Sequence, residues 1–65
     1  MTYEEFQELP QGEVVFDAST HTVWHKAFTA REGRKLTWEA PGRTGYFHDV
    51  AVYKPGLTRV GNTHG

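Results

Sequence analysis

The chain opens with apolar residues at helical spacing, Tyr3, Phe6 and Leu9, which fall on one face of a helix. Thr2 stands at the N-cap position with Glu5 three residues on. The threonine hydroxyl can accept from the Glu5 backbone N–H while the carboxylate returns to the Thr2 N–H. Glu4 and Glu5 also suit the positive end of the helix dipole. Pro10 disfavours α geometry at Leu9, and Gln11-Gly12 turn the chain. The pattern predicts a helix over residues 3–8. So short a helix does not hold alone, and its aromatic face must pack on something.

After Gly12 the periodicity changes. Residues 13–18 and 22–29 read as strands rich in β-branched and aromatic side chains, joined as a hairpin by Ser19-Thr20-His21. Arg31-Glu32-Gly33-Arg34 forms the next turn. Residues 35–40 alternate, with Leu36, Trp38 and Ala40 on one side and Lys35, Thr37 and Glu39 on the other, the pattern of a half-buried strand. Pro41-Gly42-Arg43-Thr44-Gly45 punctuates again. A strand over 45–48 follows. The stretch 46–53 reads either as one long strand or as a strand ending near Phe47 with a helical turn opening at Asp49. Pro55-Gly56 closes it. A last strand covers 57–60, and 61–65 reads as a flexible polar tail behind a single small domain over 1–60.

These elements predict a mostly β domain: four to five short antiparallel strands in a bent sheet, closed into a small barrel with the N-terminal helix over an open end. Val14, Phe16, Trp24, Phe28, Leu36, Trp38, Phe47 and Val52 are expected inside, with Phe6 and Leu9 as the lid. Lys26 shares a strand face with Trp24 and Phe28. It must either snorkel at the rim or mark a bulge that switches the face.

Composition sharpens this picture. A chain of 65 residues makes one domain and buries only about 60% of its unfolded surface. It has no cysteine, so disulfides cannot supplement the core, and a reducing compartment fits. Its nine aromatic residues can each bury about 150–250 Å² instead. The acidic N-terminal sequence has no targeting pattern, and no apolar run nears the roughly 20 residues of a membrane span. The expected location is the cytoplasm.

The net charge of −1 conceals an asymmetry. Residues 1–25 hold five acids (Glu4, Glu5, Glu8, Glu13 and Asp17) and no Lys or Arg. Residues 26–65 hold all seven cations (Lys26, Arg31, Arg34, Lys35, Arg43, Lys54 and Arg59) against Glu32, Glu39 and Asp49. Such a split either marks a binding surface or lets the two halves attract each other in the fold.

Candidate chemistry is sparse. On a strand, His21 and His25 face the same way but lie about 13 Å apart, too far to share one ion. His48 and Asp49 would point to opposite faces, and His64 sits in the tail. Asp17, Ser19 and His21 lie close in sequence, but Asp-x-Ser bonds nearby backbone more readily than it builds a triad. Glu4, Glu5 and Glu8 are explained by the helix, and Pro41–Gly45 lacks the lysine and helix of a phosphate loop. No catalytic residue, metal site or cofactor is expected. Arg31, Arg34, Lys35 and Arg43 bracket the third strand near Trp38, Tyr46 and Phe47, a composition that small barrels use to bind single-stranded nucleic acid. Tyr46 and Tyr53 are candidates for partial exposure, and an aromatic beside arginine marks many protein interfaces.

The run Leu9-Pro10-Gln11-Gly12-Glu13-Val14-Val15-Phe16-Asp17, followed by Trp24-His25-Lys26, resembles short uncharacterised proteins of actinobacteria and their phages. These open with Leu-Pro-x-Gly-x-Val-Val-x-Asp and continue with Trp-x-Lys, a second Trp and a late Gly before a closing strand. Trp38 and Pro55-Gly56-Leu57-Thr58 are the later matches, so the resemblance spans residues 9–60. The chain departs from it at Ser19-Thr20-His21, where a glycine is usual, and in a longer, more basic segment over 27–37. The resemblance implies a compact β domain like a small SH3-type barrel, phage-encoded and active in the host cytoplasm, and it favours the helical turn near Asp49. It transfers no site residue.

The expected function is a non-catalytic interaction module that binds a host protein, with Arg31, Arg34, Lys35, Arg43, Tyr46 and Tyr53 as candidate contacts. The alternatives are a nucleic-acid-binding barrel using the basic and aromatic residues, or a homo-oligomeric or structural component. No membrane partner is expected.

Overall fold

The computed structural model describes residues 1–29 and 36–62. Helix α1 (Tyr3–Gln7) is followed by strands β1 (Glu13–Asp17), β2 (Thr22–Lys26), β3 (Leu36–Glu39) and β4 (Phe47–His48), a helical turn α2 (Asp49–Val52) and strand β5 (Thr58–Asn62). All five strands join one antiparallel sheet in the order β4-β3-β2-β1-β5. The first four strands meander, and β5 returns to pair with β1. The mostly β class and the short N-terminal helix are as the sequence predicts, and Asp49 opens a helical turn rather than continuing a strand. The barrel closure is not observed. Among the described residues the outer strands β4 and β5 do not pair, and the sheet is open. β4 ends after two residues, where α2 begins, which leaves too little strand to bridge a gap.

The capping box forms as predicted: the Glu5 N–H donates to Thr2 Oγ1 at 3.1 Å and the Thr2 N–H donates to Glu5 Oε1 at 3.0 Å. α1 lays Phe6 flat on Trp38, ring centroids 4.7 Å apart and planes 11° apart. Tyr53 packs beside Phe6 and meets Tyr3 edge-on at 5.2 Å. Around these rings lie Leu9, Val15, Trp24, Ala40, Val52 and Leu57, all buried.

Several expected core positions differ. β1 has the opposite phase: Val15 is fully buried in the core, while Phe16 is only half-buried. Val15 lies opposite Trp24, and Phe16 opposite Val23. The inward face of β1 thus also carries Glu13 and Asp17, both buried. Partners from the second half of the chain make this tolerable. Arg59 donates to the Glu13 carboxylate, and Lys54 Nζ reaches Asp17 at 2.8 Å. Val14, expected inside, is buried as well.

β3 breaks its apparent alternation. The register shifts between Leu36 and Trp38, leaving Leu36 46% exposed while Thr37 is fully buried. Phe28 and Phe47 are half-buried rather than enclosed. β5 has its own irregularity: Arg59 pairs with Val15 and Gly61 with Val14, so Val60 is the extra residue of a bulge. The strand runs to Asn62, two residues beyond its expected end, which shortens the expected tail; residues 63–65 lie outside the described ones.

Lys26 takes neither of its expected roles. β2 keeps its alternation, and Lys26 points inward at 2% exposure. Its Nζ donates to the Gln7 carbonyl at 2.9 Å and lies 5.6 Å from the centre of the Trp38 ring. A cation at the carbonyl end of α1 satisfies an otherwise orphaned acceptor. Burial lowers its pKa, and the Asp49 carboxylate opposes that shift. Asp49, buried at the start of α2, accepts from the Trp38 indole at 2.5 Å and from the Thr37 hydroxyl at 3.3 Å. This polar cluster joins α1, β2, β3 and α2. Among the described residues, no buried side-chain nitrogen or oxygen lacks a partner.

Candidate functional site

The two Pro-Gly turns place the cations on which the site depends. In Ala40-Pro41-Gly42-Arg43, the Arg43 N–H donates to the Ala40 carbonyl at 3.2 Å, and Gly42 has φ of 82°. Proline first and a positive-φ glycine second make a type II turn. The turn delivers Arg43 back over the sheet, where its guanidinium carbon lies 5.4 Å from the centre of the Trp24 ring. Trp24 is braced edge-on by Phe47 at 5.2 Å. In the second turn the Leu57 N–H donates to the Lys54 carbonyl at 3.3 Å, and Lys54 sends its ammonium to Asp17.

Between these turns lies a groove of about 230 Å³. Trp24, Phe47, Ala51 and Val52 line it together with Thr20, Arg43 and the Lys54–Asp17 pair. A shallower hollow of about 240 Å³ lies on the far side of Arg43, lined by Glu39, Ala40, Gly45 and Tyr46. Tyr46 is 46% exposed and meets Phe28 edge-on at 5.1 Å. The structure therefore brings together two of the expected contacts, Arg43 and Tyr46. Tyr53 is elsewhere. Its ring packs against Tyr3 and Phe6, and its hydroxyl donates to the Met1 carbonyl at 2.8 Å. Arg31, Arg34 and Lys35 lie outside the described residues.

Lys54, Asp17, Trp24 and Val52 belong to the groove although the sequence reading did not select them for a site. The available signal was the pair of Pro-Gly turns, each with a cation beside it. Asp17 is held well below the usual carboxylate range by Lys54 first and by Ser19 second, so it stays ionised and occupied with its own cation.

The Asp17-Ser19-His21 grouping is a turn. The Ser19 N–H and hydroxyl donate to Asp17 Oδ1 at 3.0 and 2.7 Å, and Ser19 Oγ accepts from Lys54 at 2.9 Å. His21 has φ of 52° and packs edge-on against Phe16 at 6.2 Å. Among the described residues, no three His, Cys, Asp or Glu side chains come together where they could hold a metal ion. No helix of the described residues is long and apolar enough to cross a membrane.

The groove is smaller than the roughly 300–1,000 Å³ typical of small-molecule sites. Its volume is close to that of a single large side chain. Compared with known protein families, with curated proteins and with solved structures, the chain matches none.

Proposed function

We propose that this chain is a non-catalytic interaction module, a small phage accessory protein that binds a protein of its host through the face bearing Arg43 and Tyr46. The observation that carries this reading is the Arg43–Trp24 stack in the lining of a groove sized for a single side chain. Arginine and aromatic anchors around a small apolar recess are the elements from which interface hot spots are built. An SH3-type arrangement, as the resemblance implies, is supported by the four-strand meander, the helical turn before β5 and the return of β5 to β1.

Nucleic-acid binding draws less support. Base stacking needs open ring faces beside several free cations. Among the described residues, Trp24 and Trp38 are 6% and 0% exposed while Tyr46 near Arg43 is 46% exposed, and Lys54 is already paired with Asp17.

The test is a pull-down from host extract with immobilised protein, comparing the wild type with Arg43→Glu. The wild type is expected to retain a protein that the variant loses. The reading fails if no protein is retained while single-stranded DNA binds tightly, with a salt slope of about −0.7 per phosphate neutralised.

A further inference from the structure

We infer that the groove takes an acidic segment of the partner protein: one carboxylate on the Arg43 guanidinium, and the neighbouring apolar side chain in the space lined by Phe47, Val52 and Trp24. This rests on the reading of the chain as an interaction module and names the chemistry of its partner.

The charge pattern within the fold selects the anion. Among the described residues, Arg59 is joined to Glu13, Lys54 to Asp17, and Lys26 is buried against the Gln7 carbonyl. Arg43 is different. It is exposed and lies over the Trp24 ring with no carboxylate of the described residues within ion-pair distance. The groove lining holds two cations and one carboxylate; Glu39 lines the hollow on the other side of Arg43 but forms no ion pair with it. Guanidinium suits a carboxylate because its planar fork can donate two parallel hydrogen bonds. The ring beneath it and the turn behind it restrict the side chain before binding, which lowers the entropy lost when a partner arrives.

Among the described residues, the same arithmetic argues against a polyanion in this groove. Successive phosphates would need further unpaired cations along the groove, and its second cation faces Asp17 at 2.8 Å. The apolar lining and limited volume call for one compact side chain beside the charge. An Asp or Glu flanked by Leu, Met or Phe has that chemistry.

The experiment is an NMR titration of isotopically labelled full-length protein with hydrocinnamate, an apolar ring carrying one carboxylate, and with its neutral amide. The acid is expected to bind about two- to fivefold more tightly than the amide, with shifts centred on the Trp24 indole, Phe47, Val52 and the Arg43 side chain. Arg43→Gln should keep a dispersed, folded spectrum and lose the preference for the acid, and Arg43→Lys should restore part of it. Equal response to acid and amide, no response, or shifts centred away from the groove would overturn the inference. So would a stronger response to oligothymidylate than to hydrocinnamate. The pull-down separates the two readings. A partner retained regardless of Arg43, with a groove indifferent to the probe, removes the acidic anchor and leaves the interaction module. A responsive groove with no protein retained removes the module, and with it the protein nature of the occupant.

Discussion

Asp49 shows how much one side chain can organise in a thin core. Its carboxylate receives the Trp38 indole and the Thr37 hydroxyl and lies close enough to favour the charged form of Lys26. Asp49→Ala would strand both buried donors and is expected to cost about 2–4 kcal/mol, whereas Asp49→Asn keeps an acceptor and should cost about half of that. Urea unfolding at constant pH measures both. Asp17 makes a separate prediction about acid. Its folded-state pKa lies below the ordinary aspartate value of about 3.9, held there mainly by Lys54. The stability it contributes is therefore complete above that ordinary value and is lost as pH falls through the folded one. Asp17→Asn should flatten the acid limb of a stability-against-pH curve, and Lys54→Met should move the Asp17 carboxyl resonance titration upward. The turn at Asp49 was legible in the sequence, but the role of its carboxylate was not. Trp38 lies eleven residues away, and only the bulge in β3 turns Thr37 toward the same oxygen.

At the scale of elements, the sequence identified each segment but not always which way it faces. The capping residues Thr2 and Glu5 and the Pro-Gly turns act locally, so α1 and the turn carrying Arg43 could be read from short runs of residues. The phase of β1 could not. Val14 and Phe16 look like the buried set because Glu13 and Asp17 flank them, yet Arg59 and Lys54, more than thirty residues later, make the acidic face the inner one. A one-residue change of phase exchanges every side chain between faces, so the two readings predict opposite outcomes. Val15→Thr should destabilise by about 1–3 kcal/mol, because its hydroxyl enters an apolar core. Phe16→Tyr, whose ring lies at a half-buried edge beside His21, should change stability by less than about 0.5 kcal/mol. Thermal or urea melts of the two variants decide the phase.

Across the whole molecule, the charge asymmetry of the sequence is partly resolved inside the fold, since Glu13–Arg59 and Asp17–Lys54 each join the acidic half to the basic one. The groove arginine stays outside that pairing. Closing the molecule depends on contacts distant in sequence: β5 pairs with β1 and Leu57 enters the core. A chain ending at Gly56 should therefore lose cooperative unfolding, as followed by circular dichroism through a denaturant series. Among the described residues β4 and β5 are the outer strands of the open sheet, and ordered stacking of copies begins at exposed outer strands. β4 offers only two residues, too few to template another strand. β5 is long enough, but its bulge at Val60 twists the strand and Arg59 places a charge on it. A bulge of this kind bends an outer strand away from regular pairing with another copy. Removing Val60 would straighten that strand, and the shortened chain is expected to form amyloid faster than the parent in a thioflavin fluorescence time course.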